Sequence, residues 1–198
     1  SVAKSMAWFQ GGAAQPVYLY MGIGAVALYP LVGMFFFFHT YTPVPGAMDD
    51  MSGCAIAAGL GKYLGDAKSN GDFFPENTEV VLIGMACEEA GLRGTRRYVE
   101  KHLQELKQVP TYGLFVDGVY DEKYLTVIHW EICTGARHDS ALVSMAQEAA
   151  GKRGWPILRT TIPLGASDAT EFTRAGISST CLLCQDTSKL VPNYHTRF

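Results

Sequence analysis

The sequence has no excess of basic charge. Its 16 Lys and Arg face 19 Asp and Glu, for a net charge of -3, and no basic stripe interleaves with aromatics. The electrostatic footprint of a nucleic-acid-binding domain is therefore missing, and no nucleic-acid partner is expected. Cysteine is scarce and odd in number, five in 198 residues, so no complete disulfide framework can form. Cys181-Leu182-Leu183-Cys184 has CxxC spacing, but on a strand these two side chains face opposite ways. No second such pair exists to complete a four-cysteine zinc site, and both read as small core residues. Internal repeats and low-complexity tracts are also absent.

A local absence is more telling. From Val17 to Phe38 there is no charged residue, and Tyr18, Leu19, Ile23, Val26, Leu28, Leu31 and the run Phe35 to Phe38 fill the segment. A helix of this length could cross the roughly 30 Å hydrocarbon core of a bilayer. Pro30 would interrupt that helix, Gly22, Gly24 and Gly33 lower its propensity, and no Lys or Arg cluster anchors either end. Two short apolar segments in a hairpin fit the pattern as well. Without a basic leader or cleavage pattern it does not read as a signal peptide. The expectation is an N-terminal apolar segment, residues 1–44, that contacts a membrane, followed by a catalytic domain at 45–198.

That second part is long enough for a full core and alternates helical with strand-like patterns. Met51 to Leu64 reads as a small-residue helix, Glu79 to Met85 as a buried strand, and Leu92, Val99, Leu103 and Leu106 mark an amphipathic helix. Strands are expected at Thr111 to Val116, Tyr124 to Cys133 and Ile177 to Cys184, with a further helical stripe at Leu142, Met145, Ala146 and Ala149. The fold class is α/β, a three-layer α/β/α sandwich around a mostly parallel mixed sheet.

Two consecutive carboxylates, Glu88-Glu89, follow the apolar run Val80 to Met85. An acidic pair at the end of a buried strand is costly unless a cation or a reaction uses it. Adjacent residues leaving a strand diverge, so one can ligate a metal while the other acts as a general base. The plain alternative is an acidic first helical turn. Asp49-Asp50 sits at a glycine-marked turn before the first small-residue helix, where Asp50 or Ser52 can also serve as a cap. Asp117 ends an apolar strand, a common place for reactive groups in open α/β sheets. Asp168 opens a short helix, and His195 lies in a polar loop; His129 and His138, without carboxylates at ligand spacing, read as structural or exposed. Cys87 is expected to pack behind the strand.

In this order the motifs Pro45 to Gly53, Cys87 to Gly94, the strand ending at Asp117, Ser167-Asp168 with Phe172, and Tyr194-His195-Thr196 resemble the zinc aminopeptidases of peptidase family M28, the co-catalytic di-zinc exopeptidases. The resemblance runs from about Pro45 to the last residue. It implies two zinc ions bridged by Asp49, one completed by Glu89 and His195, the other served by Asp117. Glu88 would take a proton from the metal-bridging water, Asp168 would lie beside the substrate, and the substrate would be a peptide with a free amino terminus. A related amide chemistry is a near variant.

The sequence departs from the family at one ligand. Members carry a His-x-Asp motif ahead of the bridging aspartate, whereas the histidine here, His39, is followed two residues on by Tyr41. The carboxylate that would orient its imidazole is missing. The chain reads as a piece of a longer protein, with either His39 or a residue upstream of Ser1 supplying that ligand. The alternative function is a membrane-associated, non-catalytic peptidase-like domain with an incomplete metal site.

Overall fold

Val127 and Ile128 are neighbours on strand β2, Leu125–Glu131, and neither is exposed to solvent. Successive side chains of a strand point to opposite faces, so the sheet must be covered on both. Val127 packs with Val143 and Ala146 of the helix Ser140–Lys152, while Ile128 packs with Ala169 of the helix Ala169–Arg174. Burying each such side chain contributes about 1.5–3 kcal/mol. The result is helix, sheet, helix, the layered α/β fold expected from the sequence.

The computed structural model describes residues 15–34, 43–72, 74–186 and 195. Two compact units divide the chain, Ser1–Val44 and Pro45–Phe198. The described part of the first is helix α1, Gln15–Met34. The second runs α2 (Met51–Asn70), α3 (Arg93–Leu106), β1 (Tyr112–Asp117), β2, β3 (Ala136–Arg137), α4 (Ser140–Lys152), β4 (Leu158–Ile162), α5 (Ala169–Arg174) and β5 (Ser178–Cys184). β4 runs parallel along one side of β2; β5 and then β3 lie antiparallel along the other, and β1 pairs parallel with β5. The β2–β4 register slips between Ile128 and Trp130, and the intervening His129 bonds the Thr160 carbonyl at 2.7 Å. Helix α3 sits with α5 on one face, where Val99 meets Phe172 and Ile177. Glu171 of α5 ties the two helices further by accepting from Arg96 of α3, and it also accepts from Arg174 of its own helix.

Three expectations are corrected. Glu79 to Met85 forms no strand, and Val80 to Ile83 are 39–61 % exposed. Its β-prone residues have no ladder partner among the described residues, leaving only side-chain contacts such as Met85 in the α3–α5 core. Cys87 is exposed rather than packed behind a strand, because the chain turns there at φ 59°. Helix α1 continues through Pro30 as one 20-residue helix rather than breaking into a hairpin. Pro30 stands within five residues of its end, so the hydrogen bond it deletes lies in the last turns.

Close backbone approach places the acidic loop. A Cβ on Gly94, at the start of α3, would overlap the Ala86 carbonyl oxygen just before Glu88-Glu89. Gly94→Ala is therefore expected to destabilise the fold by about 2–3 kcal/mol, as overpacking does. By contrast Gly65→Ala, in α2 with open space around it, should stabilise by up to about 1 kcal/mol. Denaturant unfolding of both variants checks this; equal midpoints would show that the Gly94 contact does not constrain the loop.

Candidate metal centre

The turn after Ala86 folds tightly on itself. The Glu88 carbonyl accepts from the backbone N–H groups of Gly91 and Leu92 at 2.9 and 2.8 Å, and the Cys87 carbonyl from Arg93 at 3.1 Å. Cys87, Gly91 and Leu92 all adopt positive φ. For the two non-glycine residues that conformation costs of order 1 kcal/mol each, a strain often found where a functional group must be aimed. It swings Glu88 and Glu89 away from the line of the preceding segment.

Asp49 is held differently. Asp50 caps α2 by accepting from Gly53 N–H at 2.9 Å and also takes the Gly118 N–H at 3.3 Å. Ser52 donates to the Met48 carbonyl at 2.6 Å and accepts from Val119 N–H at 3.0 Å. The start of α2 is thus bonded to the residues just after Asp117. Capping is what the sequence suggested for Asp50 and Ser52, and the cap also brings the Asp49 turn to the end of β1. The Asp49–Asp50 peptide is cis.

Three of the expected residues converge. His195 Nε2 lies 2.8 Å from Asp49 Oδ2 and 2.6 Å from Glu89 Oε1, and the ligand atoms of all three fall within 4.8 Å of one another. Two hard carboxylate oxygens and an imidazole nitrogen are a donor set that zinc accepts. Asp117 and Glu88 stand outside this trio but within its field, and Asp168 acts on both of them. His39, Tyr194 and Thr196 lie outside the described residues.

The charges show how crowded the place is. Burial pushes the Glu88 carboxyl up to about 8, with added repulsion from Glu89, Asp117, Asp168 and Asp49. Burial likewise raises Asp117 to about 7, again with Asp49, Asp50, Asp168 and Glu89 nearby. Asp50 and Glu89 are raised by burial too, although His195 draws Glu89 back down. Six carboxyl groups from four separate segments share one region, and among the described residues one histidine, His195, faces them. Such an arrangement favours a cation.

Asp168 stands at the start of α5 without forming a side-chain cap, and burial raises its carboxyl. The Thr95 hydroxyl faces it, but no well-aligned hydrogen bond closes, and Thr95 Oγ1 and Asp168 Oδ1 are both buried without a partner. Beside it is a pair that spacing rules missed. His138 is fully buried against Glu131 at 2.9 Å, brought there by the β2–β3 hairpin. The available signal was an acidic residue inside the apolar run of β2.

The description of peptidase family M28 matches residues 34–198. Among solved structures, a zinc aminopeptidase from Bacillus subtilis, BSAP, is 29% identical, with a TM-score of 0.61 over 78% of this chain and 36% of that one. An aminopeptidase from Aneurinibacillus sp. strain AM-1 shares the fold at 23% identity and TM-score 0.58, over 78% of this chain and 34% of that one. LapA of Legionella shares it at 17% and 0.59, over 80% and 42%. This chain thus spans well under half the length of each. No curated protein matches its sequence. The family match takes in Asp49, the acidic pair, Asp117, Asp168 and His195 together, and the chain belongs to peptidase family M28.

Proposed function

We propose that this chain is the metal-binding part of a zinc-dependent aminopeptidase, a hydrolase acting on peptide amino termini. The convergence of Asp49, Glu89 and His195 carries the reading. These three would hold one zinc ion, Asp49 would bridge to a second through its other oxygen, and Asp117 would serve that second ion. The remaining ligand would come from His39 or from a residue upstream of Ser1. Bound zinc supplies a Lewis acid that polarises the scissile carbonyl and acidifies the attacking water.

The chain's own groups would do the rest. Glu88 would take the proton of the attacking water and hand it to the leaving amine. Asp168, with a buried oxygen lacking a partner, would accept from the substrate's α-ammonium group.

Membrane contact through residues 17–38 belongs to the same proposal. Helix α1 is 20 residues long, about 30 Å, and its large apolar side chains other than Tyr18 are more than half exposed. A helix that is apolar all round is buried in something, and lipid matches its length. The chain should float with lipid vesicles, and Val26→Asp, a charge near mid-helix costing about 3 kcal/mol on insertion, should weaken this strongly. Equal flotation of both would remove the membrane from the account.

Glu88→Gln is expected to leave zinc binding intact and reduce peptide turnover by at least about 100-fold, as loss of a general base does. Substantial remaining activity would remove Glu88 from that role. The same residue makes a pH prediction for the metal-free protein. Its carboxyl sits at about 8 when folded against an ordinary 4.5, so the folded state binds the extra proton between those values. Stability should therefore fall as pH rises from about 5 to about 8, and Glu88→Gln should flatten that slope. Thermal unfolding across this range measures it.

A further inference from the structure

Glu131 closes β2 with a fully buried carboxyl, yet four donors converge on it. Oε1 takes the Ser167 hydroxyl at 2.6 Å and faces His138 Nε2 at 2.9 Å. Oε2 takes the Ser167 N–H at 3.0 Å and the Thr170 hydroxyl at 2.5 Å. Burial works to raise the carboxyl, but these bonds outweigh it and hold it below its usual range. The group is ionised.

Counting hydroxyl protons then settles the imidazole. Ser179 donates its single hydroxyl proton to the Ala169 carbonyl at 2.8 Å. Thr173 Oγ1, 2.8 Å from Ser179 Oγ, must therefore donate its own proton there. Nothing is left on Thr173 for His138 Nδ1, 2.8 Å away, so Nδ1 carries a proton and donates. Nε2 faces an ionised, acceptor-only carboxylate, so it carries a proton too.

We infer that Glu131 and a doubly protonated His138 form a buried ion pair whose task is to position Asp168 at the acidic cluster. Asp168 lies between the two clamped segments. Ser167 is held by both its N–H and its hydroxyl, and Thr170 and the Ala169 carbonyl are held on the other side. The carboxylate of Asp168 takes no part in the network and makes no cap bond; the Thr95 hydroxyl is the group that faces it. Its neighbours fix its place while its own acceptor stays available for a ligand. A buried ion pair adds little stability relative to an apolar core, which fits a role in placement. The inference rests on the aminopeptidase reading only for the ligand, an α-ammonium group.

Two measurements on the full chain test it. Nitrogen-15 NMR of labelled histidine should show one ring with two slowly exchanging N–H protons, lost in His138→Gln; a singly protonated His138 would overturn the ion pair. In zinc-loaded protein, Glu131→Gln should raise KM for a peptide with a free amino terminus about tenfold or more, with kcat within about threefold and zinc content unchanged. Thr170→Val, a milder loss of one donor, should move KM the same way by about threefold and covers the case in which Glu131→Gln does not fold. Unchanged KM in Thr170→Val would overturn the positioning role. If the zinc-loaded parent chain cleaves no peptide, the KM comparison is replaced by a structural readout. The carboxyl carbon-13 signal of Asp168 then decides positioning, because it should shift in Thr170→Val and a fixed signal would overturn it.

Discussion

The gathering of partly desolvated carboxylates, with the repulsion it brings, is the constraint on which this domain turns. Asp49 and Asp50, Glu88 and Glu89, Asp117 and Asp168 come from four stretches of chain and share one half-desolvated region. Left to themselves they would separate, so the backbone must hold them. The Asp50 and Ser52 bonds to Gly118 and Val119 do this for one side, and the contact between Gly94 and Ala86 does it for the other. Burial, with their mutual repulsion added, raises Glu88 to about 8 and Asp117 to about 7, so protons answer part of the charge. Zinc, in the proposed function, would answer it more fully.

A second buried acid shows the contrast. Glu131 is at least as buried as any of these six, yet its carboxyl is held below the usual range because protein donors meet all its needs. Glu131 is completed by the fold itself, as Asp50 is by its cap, while Glu88 and Asp117 take up protons instead. The two sets adjoin at Ser167-Asp168, where the satisfied network ends and the unsatisfied cluster begins.

Much of this was legible in the sequence, for definite reasons. Burial on both faces of β2 and β5 leaves adjacent apolar residues, Val127-Ile128 and Cys181 to Cys184, and the amphipathic stripe of α3 is strong, so the layers could be read directly. Glu88-Glu89 stood out because charge interrupts such a run. Other features depend on distant partners. Val80 to Ile83 has strand chemistry, but a ladder needs a neighbour that composition cannot supply. β4, Leu-Arg-Thr-Thr-Ile, lacks clear alternation and exists because β2 offers it an edge. His138 lacked a carboxylate at ligand spacing, and only the β2–β3 hairpin brings Glu131, seven residues away, to its ring. Pro30 read as a helix breaker, although one lost hydrogen bond near a helix end does not stop a long apolar helix.

In the proposed function the acidic cluster holds a metal, so the decisive measurement is zinc content per chain after loosely bound metal is removed, with Glu89→Ala alongside. The account predicts at least one tightly held ion in the parent chain, through Asp49, Glu89 and His195, and a large loss in Glu89→Ala. Two ions would support the bridging role given to Asp49. No bound zinc, or equal zinc in both proteins, would contradict it.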